Sequence, residues 1–537
     1  GLNLAVVIKE GKRERFIRIK VPPNRRRWVP LADGSGSVPL EQVIAANLGL
    51  LFPKAKIGTV HFFRLTRGAE ADESVPSELE DLAALTIPGS IVEQVASELK
   101  ARRFAGEVRL QVSSRMPKKR REWLCGQLGC LPEEVYLAEE VLGIADLLKL
   151  DVPGRDDLRY PTHTPITHPR LISLPLDDPG AIFREICRGD ILVHHPYQSF
   201  DSSVLRFIES AAVDDAVLAI KLTIYRTSSD SPIIAALLEA ARRGKQVAVL
   251  VEITARFDEA PNIAWGRLLE KEGVHVSYGV EHLKTHVKLA LVLREEADGI
   301  RSYVHAGTGN YHTGTARIYE DLGILSCNPD LSDDVAAVFN ELTGATPYED
   351  YRKLLVAPRY MRDRFCDLIR REIDHANAGR PCGIKAKMNQ LQDPALVREL
   401  YAASRAGVPV SLNVRGLCIL KPGVPGLSET IKVFSVLGRF LEHGRIYRFE
   451  NGGEPEIYIG SADWMKRNLD RRVETMAPVI DPALRLEIAG ILRVLEQDNY
   501  TAWDLQPDGS YVRRKPKDGE PTRAAQQEFI RLAEASS

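Results

Sequence analysis

The sequence predicts an α/β protein: a mixed α+β leading domain followed by two copies of one α/β unit. Three observations predict it. From about residue 170 onward, apolar β-branched runs of strand length alternate with amphipathic helical stretches, the rhythm of a largely parallel or mixed sheet covered by helices on both faces. The segment Arg242-Arg-Gly244-Lys-Gln-Val247-Ala-Val249-Leu-Val251 aligns without a gap with Arg405-Ala-Gly407-Val-Pro-Val410-Ser-Leu412-Asn-Val414, at an offset of 163 residues. A His-x-cation pair followed by a small-residue turn also occurs twice. His286-Val287-Lys288 precedes Gly307-Thr308-Gly309-Asn310 by 21 residues, and His443-Gly444-Arg445 precedes Gly460-Ser461-Ala462-Asp463 by 17. One copy would be ordinary; two in register make a duplication.

Taken in order, residues 4–8 form an apolar strand and 16–21 alternate as a half-buried one. Residues 41–50 are helical, 61–65 and 107–112 are strands, and 91–103 and 117–128 carry helical periodicity. Pro153-Gly154 and the proline-punctuated stretch 161–170 break regular structure, because each proline lacks a donor and biases its predecessor away from helix. The first domain boundary belongs there. Residues 217–225 are then a strand, 232–243 a helix opened by Pro232, and 246–253, 274–278, 286–293 and 301–306 further strands. The pattern restarts at 383–391, with a helix at 394–406 and a strand at 408–415, and Asn451-Gly452-Gly453 reads as a hairpin turn. The expected domains are 1–168, 169–353 and 354–537.

The 537 residues allow three or four domains at ~100–200 residues each, every one long enough to bury a core. Hydrophobic residues at 44% and charged residues at 27% exclude disorder, a collagen-like repeat and a disulfide scaffold. A net charge of −1 lacks the global cationic field of a nucleic-acid or membrane binder, although a neutral total conceals local basic sites. The seven cysteines are scattered without a C-x-x-C pair, which favours reduced thiols in a cytoplasmic protein over disulfides or zinc. No apolar run approaches the ~18 residues of a membrane span, and no signal peptide opens the chain. A start at Gly1 reads as a chain with something missing before it.

Residues i and i+2 of a strand share a face, which predicts His286 beside Lys288 and His443 beside Arg445. A neutral imidazole next to a fixed cation suits attack on an anionic phosphorus centre. The cation stabilises the developing charge, and the Gly/Thr/Asn turns offer donors to phosphate oxygens. Two such halves facing each other make one site with two histidines, one carrying a phosphoryl group while the other acts as acid, base or donor.

Seven segments carry a resemblance to a known family. They are His195-Pro-Tyr197, Ile224-Tyr-Arg226, Ala255-Arg256-Phe-Asp258-Glu259 and Leu283-Lys-Thr-His286-Val-Lys288, then Gly307-Thr-Gly-Asn310 with Thr315-Ala-Arg317-Ile-Tyr319. The last two are Val414-Arg415-Gly416, and Leu441-Glu-His443 with Ser461-Ala-Asp-Trp464-Met-Lys-Arg467-Asn468. Together they resemble the polyphosphate kinases of the ATP-polyphosphate phosphotransferase type, over the whole chain. The resemblance implies two phospholipase D-like C-terminal domains and reversible transfer of the terminal phosphate of ATP to polyphosphate through a phosphohistidine. It implies His286 as the phosphorylated residue and His443 as the second active-site histidine; Lys288, the cation read beside His286, is the third catalytic candidate. Tyr319, Arg415 and His443 match ATP-contacting positions, Asn310 and Arg467 are read as phosphate-binding, and Arg226 and Arg256 match a Mg2+ site. A guanidinium has no lone pair for a metal ion, so these two arginines would grip the phosphates that carry Mg2+, with Asp258 and Glu259 as water-mediated partners. No P-loop pattern occurs, so ATP would be held without one. The implied partners are ATP/ADP and polyphosphate, with no nucleic acid and no integral membrane segment. The full-length family forms homo-oligomers, dimer or tetramer, in the cytoplasm or peripherally at the inner membrane.

Two departures qualify the match. In the His-x-Lys-x4-Asp pattern of phospholipase D enzymes, the acidic position is Leu293 in the first copy and Glu450 in the second. Its loss beside His286 argues for a kinase-like variant, while Glu450 leaves room for a phosphodiesterase using the same histidines with water. The family's N-terminal helical domain has no counterpart here, which makes a polyanion-binding scaffold, inactive without that domain, the third reading. Of the remaining features, the basic runs 12–15, 25–27 and 118–121 read as solvated faces. Arg317, Lys466, Arg467, Arg471 and Arg472 read as a polyphosphate channel lining. His194 and His195 read as positioning a nucleotide loop, and His163, His168 and His375 as surface residues.

Overall fold

The computed structural model describes residues 1–10, 13–67, 107–139, 141–152, 154–225, 231–253, 259–280, 283–344 and 351–536. The chain forms two compact units, Gly1–Thr162 and His163–Ser537.

In the first unit, Leu2–Glu10 pairs antiparallel with both Arg13–Lys20 and Lys56–Arg67. Glu107–Ser113 extends the sheet antiparallel, and Val135–Ala138 closes it in parallel. Alternation along the first strand sends Leu4, Val6 and Ile8 into one apolar cluster and Ala5 into another with Phe63, Leu65 and Leu110. The strand is covered on both faces, which explains the continuous apolar run at 4–8. The expected helix 41–50 is two helices, Leu40–Ala46 and Leu48–Leu51, separated at Asn47. The expected helix 91–103 lies outside the described residues. The run 25–27 is only partly a solvated face: the Arg27 side chain is 8% exposed and pairs with Glu41 at 2.6 Å and Asp146 at 3.0 Å.

The second unit contains two sheets that repeat one strand order. The first runs His275–Tyr278, Gln246–Val251, Val217–Ile224, Leu289–Glu296, Gly299–Gly307, Tyr319–Ser326. The second runs Ile431–Val436, Val410–Val414, Ile384–Met388, Ile446–Phe449, Glu456–Gly460, Arg472–Pro478. In each, the first three strands are parallel and the later ones antiparallel. Gly244 and Gly407 end equivalent helices at φ +80° and +85°, a left-handed stop that a Cβ would strain. The two aligned segments are thus structural equivalents.

One expectation changes. Residues 286–293 are not a single strand. Lys284–Thr285 pairs in parallel with Arg472 and Val473 of the second sheet, and the chain enters the first sheet only at Leu289. His286, Val287 and Lys288 are the crossing between the sheets, so strand alternation does not set their faces. The second copy crosses the other way: Leu441–Glu442 pairs with Tyr319 and Glu320 of the first sheet, and Ile446–Phe449 belongs to the second. Two-residue strands carry no readable period, and this exchange leaves no pattern in the sequence.

Candidate active site

Each crossing sets a histidine against a carboxylate from the opposite half. His286 Nδ1 donates to Glu474 Oε2 at 2.9 Å, and Glu474 Oε1 accepts from Asn468 Nδ2 at 2.9 Å. His443 Nδ1 donates to Asp321 Oδ1 at 2.7 Å, and the same oxygen accepts from Thr308 Oγ1 at 2.6 Å. The turns that sequence reading aimed at phosphate therefore serve the carboxylate strands. Leu322 N donates to Thr308 Oγ1 at 2.9 Å, and Thr475 N donates to Ser461 Oγ at 3.1 Å. Glycine is needed for this closeness: a Cβ on Gly460 would fall 2.0 Å from the Thr475 carbonyl oxygen, and one on Gly309 2.5 Å from Asp321 Oδ2.

The cations differ between the halves. Lys288 Nζ donates to the His286 carbonyl and lies 5.1 Å from the Tyr225 ring centre, while that ring meets His286 edge-on at 5.2 Å. Arg445 Nη1 donates to His443 Nε2 at 3.2 Å and to the His443 carbonyl at 2.7 Å, and its Nη2 reaches Asp463 at 3.3 Å. The Tyr319 ring centre is 5.2 Å from that of His443, and Arg415 Nη1 donates to the Glu442 carbonyl at 2.7 Å.

Burial, then Lys288, Arg472, Arg445 and His443, hold His286 well below the usual imidazole range. Burial also lowers His443, against the pull of Asp321. Both rings are neutral at pH 7 with a proton on the Nδ1 that faces a carboxylate, which leaves the lone pair on Nε2. Burial pushes the Glu474 carboxyl up to about 7, against Lys288 and Arg472. The same burial pushes the Lys288 ammonium well down, although Glu474 favours its charge.

Behind His443 lies a buried charge cluster. Lys387 Nζ pairs with Glu320 at 2.5 Å and Glu442 at 3.0 Å, and Lys387 and Glu320 are 2% and 1% exposed. His194 Nε2 meets Glu320 Oε1 at 2.9 Å, Gln526 Nε2 donates to Glu442 at 2.6 Å, and Gly444 N donates to Glu320 at 3.1 Å. Burial alone would lower Lys387; Glu320 and Glu442 outweigh it and hold the lysine charged. Burial pushes Glu442 up to about 7 despite Lys387.

The structure thus brings His286, Lys288, His443, Tyr319 and Arg415 together. Asn310 sits in the turn after Gly299–Gly307 with its Oδ1 buried and lacking a hydrogen-bond partner. Arg467 is exposed on the short helix Lys466–Arg471, one residue before Asn468. Arg226, Arg256 and Asp258 lie outside the described residues, and Glu259 is described only as the backbone start of Glu259–Lys271. The acidic positions of the phospholipase D pattern supply nothing to the histidines: Glu450 pairs with Arg448 at 2.7 Å instead. Sequence reading missed Asp321, Glu474, Glu320, Glu442 and Lys387. One signal was available, because Asp321 and Glu474 are 153 residues apart, as are Thr308 and Ser461. The His194 ring binds Glu320, while His195 Nδ1 bonds the Gln198 carbonyl of the following turn at 2.9 Å; His375 is 8% exposed and bonded to Asn451, not a surface residue.

Comparison with known proteins gives this geometry a family. Residues 1–150 match the polyphosphate kinase middle domain, 181–348 C-terminal domain 1, and 354–526 C-terminal domain 2. The chain is 48% identical over 553 residues to a polyphosphate kinase of Thermosynechococcus vestitus, covering 97% of this chain and 74% of that one. Against a polyphosphate kinase of Mycobacterium tuberculosis the identity is 44% over 553 residues, covering 99% and 72%. The crystal structure of polyphosphate kinase from Porphyromonas gingivalis matches with a TM-score of 0.83 at 32% identity, covering 99% of this chain and 78% of that one. The chain belongs to the polyphosphate kinase family.

Proposed function

We propose that this kinase moves the terminal phosphate of ATP to polyphosphate, reversibly, through a phosphohistidine on His286. The observation that carries the reading is the His286–Glu474 pair, a neutral imidazole whose Nδ1 proton is held at 2.9 Å by a carboxylate. Nε2 attacks the γ-phosphorus, the P–N bond forms as the bond to ADP breaks, and Glu474 stabilises the imidazolium charge that results. A terminal oxygen of polyphosphate then attacks the same phosphorus and the P–N bond breaks. Arg445 offsets negative charge on the transferring group, and Lys288 joins it once the bound phosphate favours its ammonium form against burial. His443, oriented by Asp321 and Arg445, assists proton transfer or the leaving oxygen. Tyr319 and Arg415, beside His443, hold the nucleotide; Arg226 and Arg256 are assigned to its phosphates by resemblance, and Asn310 and Arg467 as donors in or beside the motif turns.

The described residues do not fit a protein-held magnesium centre. Among them no group of three or more His, Cys, Asp or Glu side chains could hold a metal ion. Glu474 and Asp321 are both taken up by imidazoles. Mg2+ would be ligated by ATP phosphates and water, where it neutralises phosphate charge. The domains 1–168, 169–353 and 354–537, a homo-oligomeric assembly and a cytoplasmic location complete the reading. No helix among the described residues is long and apolar enough to cross a membrane.

Incubation with γ-labelled ATP tests the route. Wild type should acquire acid-labile, base-stable label and His286→Ala none; label that persists in the variant sinks the assignment. Hydrolysis of a phosphodiester with no labelled polyphosphate would return the diesterase reading. Tight polyphosphate binding with neither activity would return the scaffold.

A further inference from the structure

Away from the histidines, two thiols face each other. Cys187 ends the helix Ala181–Cys187, and Cys327 follows the strand Tyr319–Ser326. Their sulfurs are 3.6 Å apart, contact distance for two residues 140 positions apart in the chain. Neither is an inert core thiol: both are half-buried. The Cys187 sulfur accepts from Arg301 Nη1 at 3.2 Å and from the Cys327 thiol, and it touches the Tyr303 hydroxyl at 3.1 Å. Arg301 in turn is anchored to Asp298 at 2.6 Å, and Tyr303 donates to Glu296. A cation fixed on one sulfur, with a second sulfur in contact, is the arrangement of an attacking and a resolving cysteine.

We propose that Cys187 and Cys327 are a peroxide-reactive dithiol that closes into a disulfide, with Cys187 attacking and Cys327 resolving. The Cys187 sulfur attacks one oxygen of a peroxide. An S–O bond forms and the O–O bond breaks; sulfur is oxidised by two electrons and keeps that oxygen as a sulfenic acid, and the other peroxide oxygen leaves as water or an alcohol, taking up the thiol proton. Arg301 stabilises the negative charge on sulfur as it reacts. Cys327 then attacks Cys187 Sγ; the S–S bond forms, the S–O bond breaks, and hydroxide leaves with the Cys327 proton as water. Burial, with the hydrogen bond to Cys187, pushes the Cys327 thiol up to about 12, which keeps it protonated and leaves the first attack to Cys187. The bond ties the helix end to the far end of the strand that carries Tyr319 and Asp321. Asp321 is six residues from Cys327, ~20 Å along a strand, so the link braces the sheet without touching the histidines.

The test treats the full chain with hydrogen peroxide, alkylates the remaining thiols and maps the digest by mass spectrometry. The expected product is a Cys187–Cys327 cross-linked peptide, removed by dithiothreitol. A thermal midpoint several degrees higher and phosphotransfer within twofold of the untreated protein should accompany it. Arg301→Ala should slow cross-linking at least about fivefold. Cys327→Ser should stop at a sulfenic acid on Cys187 that dimedone traps, a readout independent of the disulfide. Two results overturn the proposal: a sulfinic acid on Cys187 with no cross-link, or Cys187 left fully alkylatable at a peroxide dose that oxidises Cys382 and Cys418.

Discussion

Around His286 two of the fastening places are neutral, Thr223 Oγ1 donating to the Val287 carbonyl at 3.0 Å and Thr285 pairing with Val473, while Thr285 N donates to the buried Glu252 carboxylate at 2.6 Å. Around His443 the equivalent places hold ions. Lys387 Nζ donates to the Gly444 carbonyl at 3.1 Å, and Glu442 pairs with Glu320. The outermost pair differs too, Lys284 with Arg472 in the first crossing and Leu441 with Tyr319 in the second. Duplication thus supplied two like imidazole–carboxylate pairs, and their surroundings diverged. The cationic rim of the first suits a bound phosphoryl group, and the tyrosine of the second suits a base or sugar face. This division is the one on which the proposed reaction depends.

The sharpest way to break the comparison is to remove each imidazole. His286→Ala should lose phosphotransfer by about 10⁴-fold or more together with all label, whereas His443→Ala should still take label on His286 while turnover falls about 10²–10⁴-fold. Equal loss of label in both would make the halves functionally alike. Stability should separate them next. Lys387→Met strands buried carboxylates and should cost about 3–5 kcal/mol in denaturant melts, against about 1–2 kcal/mol for Thr223→Val. Similar costs would show that the ion cluster is not what distinguishes the second crossing.

A smaller effect lies in pH. Glu474 is a carboxylate above about 7 and protonated below it, while His286, held well below the imidazole range, stays neutral throughout. The rate should therefore rise with pH through about 7. Glu474→Gln should slow turnover about 10- to 100-fold and erase that limb, which Asp321→Asn should keep. A limb that survives in Glu474→Gln assigns it to another group. The smallest change is expected from Glu450→Gln, since Glu450 is bound to Arg448: less than about twofold in phosphotransfer. A tenfold loss would restore the phospholipase D pattern to the site.

Much of the architecture was legible because burial writes itself into periodicity. The matched helix–Gly–strand segments at Gly244 and Gly407 fall at equivalent places in the two sheets. The histidines were legible because each sits beside a cation and ahead of a small-residue turn. What escaped was whatever depends on contact between the copies. Asp321 and Glu474 lie inside the strands Tyr319–Ser326 and Arg472–Pro478, and nothing local marks them as partners of histidines 122 and 188 residues away. Lys387 alternates with apolar residues in Ile384–Met388 as a solvent-facing lysine would, although it is among the most buried side chains of the chain. A strand pattern reports that one face differs from the other, not that a polar face meets another charge in the interior.

The strand exchange also governs how the unit can be divided. Each half donates a two-residue strand to the other and receives the carboxylate that orients its histidine. Severed between residues 353 and 354, the two pieces would each carry an imidazole and the other's acid, so neither would hold a finished pair. They would behave as obligate complements, silent when expressed apart and restored on mixing. A duplication that began as two like modules has in that sense become a single heritable unit.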